Sequence, residues 1–216
     1  MKKYALTAAF LIACSLIFAQ VEMGGTADYS EIKSDGTLWF HGEATVWTDF
    51  VIDPVSTANQ ANSPSLKTFV DGDMMALAFE AGNQVEEVFF DVQMPHSWEE
   101  GSTIYPHIHW APGDGSTGNV VWYLDYTWAN IDGTFTTPVT VSSGAVAAGG
   151  EAFKHNMTMI PTGGIPGTNK TISSVLTCRL YRDHGDDDTY NNDAFAVSID
   201  IHYKLNTVGS RTPSSK

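Results

Sequence analysis

The sequence predicts an all-β protein, a single-domain antiparallel β-sandwich of jelly-roll type. Three observations carry that prediction. Roughly ten to twelve short runs alternate apolar and polar residues and are separated by Gly, Pro, Asn and Asp turn signals. Charged residues make up only 17% of the chain while Gly, Thr, Ser and Asn are plentiful, a balance that suits strands over helices. No amphipathic helix pattern and no repeat of fixed period interrupts the series. Strands with one apolar face must bury it, and two packed sheets do so most economically.

The first twenty residues stand apart. Met1-Lys2-Lys3 is a short basic start, and Tyr4–Ala19 is almost wholly apolar. Three readings fit: a secretory signal cut after Ala19 or Gln20, a lipoprotein signal in which Leu11-Ile12-Ala13-Cys14 is the lipobox, or a true start near Met23. The run is too short and too N-terminal for a permanent span. Residues 21–36 are polar and read as an N-terminal arm, residues 37–208 as the sandwich, and residues 209–216 as a flexible tail.

Within the sandwich, Thr37–Phe40 and Ala44–Ile52 read as strands, and Asp53–Lys67 as a loop. Thr68–Val70 and Met74–Glu80 follow as strands. In Gln84–Met94, Val88, Phe90, Val92 and Met94 alternate against Glu87, Phe89, Asp91 and Gln93. Gly101–Trp128 reads as a β-hairpin with arms at Thr103–Ala111 and Asn119–Trp128 around a turn at Pro112–Gly118. On its second arm Val120, Trp122, Leu124, Tyr126 and Trp128 share a core face. On its first arm His107 and His109 point one way, Ile104, Ile108 and Trp110 the other. Thr134–Val141, Glu151–Ile160 and Thr171–Arg182 are further strands. Cys178 lies on the run Ile172, Ser174, Leu176, Cys178, Leu180 and reads as a small core residue. Phe195–Leu205 is the cleanest alternation, with Phe195, Val197, Ile199, Ile201, Tyr203 and Leu205 against Ala196, Ser198, Asp200, His202 and Lys204.

A formal net charge of −14, from 11 basic and 25 acidic residues, repels phosphate backbones and anionic membranes. No nucleic-acid partner is expected, and no membrane partner once the signal-like segment is removed. The pattern Gly101-x5-His107-x-His109 matches the opening of the first cupin motif, in which two His on a strand bind a metal inside a jelly-roll barrel. The match stops there: the Glu expected four or five residues on is Gly113 or Asp114, and no second cupin motif follows. His107 and His109 are therefore candidate metal ligands, with a solvent- or subunit-facing polar surface as the competing reading. The run Asp183-His184-Gly185-Asp186-Asp187-Asp188 has the carboxylates for Ca²⁺ but not the spacing of a known loop, so a solvated hairpin loop is expected. Glu99 with Glu100, or Asp49 with Asp53, are conceivable glycosidase carboxylates. Trp47, Trp98, Trp110, Trp122 and Trp128 offer a sugar-stacking platform or a core, with Trp98 the expected exposed one. The chain has no nucleophile elbow, no P-loop, no HExxH and no CxxC pair, so no enzyme activity and no cofactor are expected.

The segments HGEATVWTDF (41–50), QMPHSWEEGSTIYPHIHW (93–110), NVVWYLDYTWANI (119–131), TISSVLTCRLYRD (171–183) and DIHYKLNTVGSR (200–211) resemble a family of uncharacterised proteins encoded among the structural genes of tailed bacteriophages and prophages. The resemblance spans about Asp28 to Arg211. It implies a non-enzymatic structural or assembly protein of a virion, partnered by copies of itself and by other virion proteins. The apolar N-terminus departs from that pattern and keeps open a secreted β-sandwich that binds carbohydrate or another surface ligand.

Overall fold

Which residues become strands follows the alternation, but which strands become neighbours does not follow chain order. The computed structural model describes residues 21–54, 62–82, 84–185 and 187–216. The signal-like segment therefore lies outside the described residues, as do residues 55–61 of the loop after Asp53. In chain order the strands are β1 (Val21–Gly24), β2 (Tyr29–Ile32), β3 (Leu38–His41), β4 (Val46–Ile52), β5 (Ser65–Thr68), β6 (Met75–Phe79) and β7 (Glu86–Gln93). Then come β8 (Tyr105–Pro112), β9 (Asn119–Val120), β10 (Trp122–Ala129), β11 (Val139–Ser142), β12 (Val146–Ala147), β13 (Asn156–Met159), β14 (Val175–Arg182) and β15 (Ala194–Leu205). A 3-10 turn at Gly42–Ala44 is the helical content of the described residues, none of which form a helix long and apolar enough to cross a membrane.

Two antiparallel sheets face each other. One has the order β11-β10-β14-β7; the other has β13-β8-β15-β6-β5, with β4 also paired to β15. Val88, Phe90 and Val92 of β7, Trp122, Leu124 and Trp128 of β10, and Leu176, Cys178 and Leu180 of β14 enter the core from the first sheet. Phe79, Ile108, Trp110, Ile199, Ile201 and Tyr203 meet them from the second. The all-β sandwich expected from the sequence is what forms.

The expected hairpin across residues 101–128 does not form. β8 pairs with β13 and β15, whereas β10 pairs with β11 and β14, so the chain crosses between sheets at residues 113–118. The physical reason is that both arms carry a large apolar face. Side by side, both faces would still need covering; in opposed sheets they cover each other, and Trp110 meets Trp122 edge-on at 6.1 Å. Gly118 makes the crossing possible: at φ +143° its missing Cβ leaves room for the Thr189 carbonyl, 2.7 Å from where that atom would sit.

The long strand β15 contains a second departure. A bulge at Val197 interrupts its pairing with β8. Ala194 and Ala196 face the core before it, and Ile199, Ile201 and Tyr203 face the core after it. Core parity thus switches from even to odd, where the sequence suggested one unbroken face. The extra residue leaves Val197 exposed and turns Phe195 outward, against Phe69 and Phe153.

Three loops are more structured than their composition suggests. Residues 21–36, expected as an arm, contain β1 and β2, which join β3 in a small sheet fastened to the end of β15 through Phe40 N–H to Asn206 O at 2.8 Å. The tail folds back, so that the Lys216 ammonium donates to the Trp98 carbonyl and burial lowers its pKa to about 8. In the acidic loop Asp188 is fully buried on Arg182, with Asp186 outside the described residues.

Candidate functional site

The outward-facing residues of the second sheet decide what chemistry this molecule can offer. On β8, Ile108 and Trp110 point into the core, so period-2 alternation puts Tyr105, His107 and His109 on the opposite, outer face. The bulge at Val197 sets the parity of β15 so that Ser198, Asp200 and His202 reach that same face. Register then makes them direct neighbours: Asp200 lies opposite His107, Ser198 opposite His109, and His202 between Tyr105 and Asp49. On the other flank, β13 sets Met159 opposite His107 and Met157 opposite His109.

The result is a cluster in which His107 Nε2 is 3.7 Å and His109 Nε2 3.2 Å from Asp200 Oδ2. Four of the chain's seven His gather here, because His202 lies against His107 at a ring separation of 4.0 Å and His155 Nε2 is 2.7 Å from His109 Nδ1. His107 is 1% exposed. Burial pushes its pKa below the usual imidazole value, with the neighbouring His202 and His109 acting in the same direction against the hydrogen bond to Tyr105 and the charge of Asp200. Its Nδ1 lies 3.1 Å from the Tyr105 carbonyl, which can only accept, so Nδ1 carries the proton and Nε2 the lone pair. Beside the cluster, Trp47, Thr48, Asp49, Tyr105, Met159 and His202 line a hollow of about 380 Å³. Trp47 stands edge-on to Tyr105 at 5.4 Å and carries the Lys204 ammonium over its ring.

Of the residues singled out from the sequence, His107 and His109 do come together, but on the outside of the sheet. In a cupin the pair points into the barrel; here the barrel-side positions belong to Ile108 and Trp110. The cupin reading therefore fails on geometry, while the two imidazoles still share a face. Asp200, Ser198 and His155 were not foreseen. The alternation in Phe195–Leu205 placed Asp200 with Ser198 on a polar face, and only the register against β8 was missing.

The five tryptophans do not form one sugar platform. Trp98, expected outside, is 0% exposed, and Trp110, Trp122 and Trp128 are buried with it; Trp47 alone of the five stands out, at 52%. Trp98 is drawn inward because Gly167 lets its ring lie on the backbone there. The conceivable glycosidase carboxylates have other partners: Glu100 accepts the Ile172 N–H at 2.8 Å, and Asp49 meets His202 Nε2 at 2.9 Å. Cys178 is in the core as expected, and burial raises its thiol pKa to about 12.

No protein-family model and no curated protein matches this chain. Two solved structures similar to it are those of infectious bursal disease virus. The Gt strain structure gives a TM-score of 0.30 at 10% identity, over 83% of this chain and 45% of the other. The Gx strain structure gives 0.30 at 11% identity, over 91% and 67%. The chain thus spans less than half of the first structure's chain, and at that TM-score the likeness carries no argument about fold or function.

Proposed function

We propose that this protein is a non-enzymatic structural or assembly component of a phage-like virion that works by binding copies of itself and other virion proteins. The family resemblance in residues 41–50, 93–110, 119–131, 171–183 and 200–211 supports the virion setting. The observation that carries self-association is the N-terminal hairpin. Val21 lies directly opposite Ile32, and Met23 shares their face; all three are exposed, at 48%, 43% and 65%. The outer edge of β1 pairs with nothing among the described residues. An unpaired edge beside an uncovered apolar strip is a surface for a neighbouring subunit, by added strand pairing and by burial. A closed assembly repeats such a contact in every copy, so each can be individually weak.

Sedimentation velocity tests this reading. The full chain is expected to sediment as an oligomer, and changing Val21, Met23 and Ile32 together to Ser is expected to shift it toward monomer with an unchanged far-UV spectrum. A wild-type chain that stays monomeric across the micromolar range overturns the proposal.

A further inference from the structure

We propose that His107, His109 and Asp200 form a binding site for one divalent first-row transition ion, Zn²⁺ foremost, on the outer face of the second sheet. Such a site does not depend on what the chain assembles into.

One ligand atom each from His107, His109 and Asp200 lies within 4.8 Å of the others. A tetrahedral ion with bonds of about 2.1 Å asks for donors about 3.4 Å apart. The two nitrogen-to-carboxylate spacings, 3.2 and 3.7 Å, bracket that figure. Two imidazoles and one carboxylate suit Zn²⁺ and its neighbours, not Ca²⁺ or Mg²⁺, which want oxygen alone.

What makes this more than a polar cluster is the engagement of every atom that does not point at the ion. His107 Nδ1–H donates to the Tyr105 carbonyl. His109 Nδ1 reaches His155 Nε2 at 2.7 Å, so His155 can accept its proton and leave Nε2 free to ligate. The other Asp200 oxygen accepts the Ser198 hydroxyl. Metal-binding His and carboxylates are oriented by such outer partners, and here all three ligands have one. His107 Nε2 and the Asp200 oxygen stand 3.7 Å apart, too far for a direct hydrogen bond, in residues only 1% and 9% exposed. A cation between them would give both a partner. Three protein ligands leave a fourth position free on the solvent side, where the His109 side chain is 25% exposed.

The test is Zn²⁺ titration of the untagged full chain by calorimetry, with Co²⁺ as an absorbing substitute. One equivalent is expected per chain, with ligand-field bands in the visible for Co²⁺. His109→Ala and Asp200→Asn are each expected to abolish binding while far-UV and fluorescence spectra stay native. His155→Ala is expected to weaken it about 10- to 100-fold, as the loss of an outer partner does. His96→Ala, remote from the cluster, is expected to leave it unchanged. Absence of stoichiometric Zn²⁺ uptake by the wild-type chain overturns the proposal, and so does undiminished uptake by Asp200→Asn.

Discussion

Arg182 and Asp188 give the sharpest test of how this sandwich is held closed. The pair is 1% exposed on both sides, and all five guanidinium N–H donors are used. Nε and Nη2 grip the two Asp188 oxygens at 2.8 Å each. Nη1 donates to the carbonyls of Phe79, at 2.9 Å, and Asn192, at 2.7 Å, and Nη2 also reaches the carbonyl of Tyr190. Asp188 in turn accepts the N–H of Val121, the residue between β9 and β10. Removing one partner strands a buried charge, so Asp188→Asn is expected to destabilise by about 3–5 kcal/mol. The informative variant is the double one. For a simple buried ion pair, replacing both partners by apolar residues is often neutral. Here Arg182→Met with Asp188→Leu removes the charges but leaves three carbonyls and one N–H without these partners. At about 1 kcal/mol each, the double variant is expected to stay about 4 kcal/mol less stable than wild type. Urea unfolding followed by tryptophan fluorescence measures this directly, since the core holds Trp110 and Trp122. A double variant within about 1 kcal/mol of wild type, inside what such a swap commonly costs, refutes the bridging role.

Trp98→Ala is expected to cost about 3–5 kcal/mol in the same assay, as for a large buried ring; Trp98→Phe is expected to cost less, because the indole N–H has no partner to lose among the described residues. Cys178 is expected to resist a thiol reagent at pH 8 and to react fully in urea, since its pKa of about 12 and its burial leave neither thiolate nor access; fast labelling of the folded chain contradicts the core placement. Burial holds the His107 pKa in the fold below the 6.5 of an unfolded imidazole, so as pH falls through that range the unfolded chain binds more protons and stability falls. Metal-free wild type is therefore expected to lose more stability between pH 7.5 and 5.5 than His107→Gln, and equal losses contradict the burial of that ring.

Alternation alone located most strands to within a few residues, and the core residues of β7, β10 and β14 were legible because each keeps one parity from end to end. β15 was not, because a bulge has no mark in its sequence: Val197 is as good a strand residue as Ile199. Pairing was illegible for a related reason. The turn at residues 112–118 suits a hairpin and a crossing equally, and the choice between them lies in what covers the apolar face of each arm. The candidate site was half legible. The spacing of His107 and His109 gave their shared face, but the sign of that face, core or surface, depended on Ile108 and Trp110 being the better core. Asp200 needed the register of β8 against β15, two strands separated along the chain by β9 to β14 and paired only by tertiary packing. Buried polar anchors were missed altogether, since Asp188 looks like any residue of an acidic loop until Arg182 is placed beneath it.

The proposed role requires the molecule to belong to a particle and to act by assembly. Particles banded on a density gradient from cells carrying this gene, washed in high salt and analysed by mass spectrometry with gold-labelled antibody, test it most directly. The protein is expected in the particle band at a fixed ratio to the major structural components, with label on the particles. Its recovery only from the medium or the cell envelope, with none in the band, overturns a virion role.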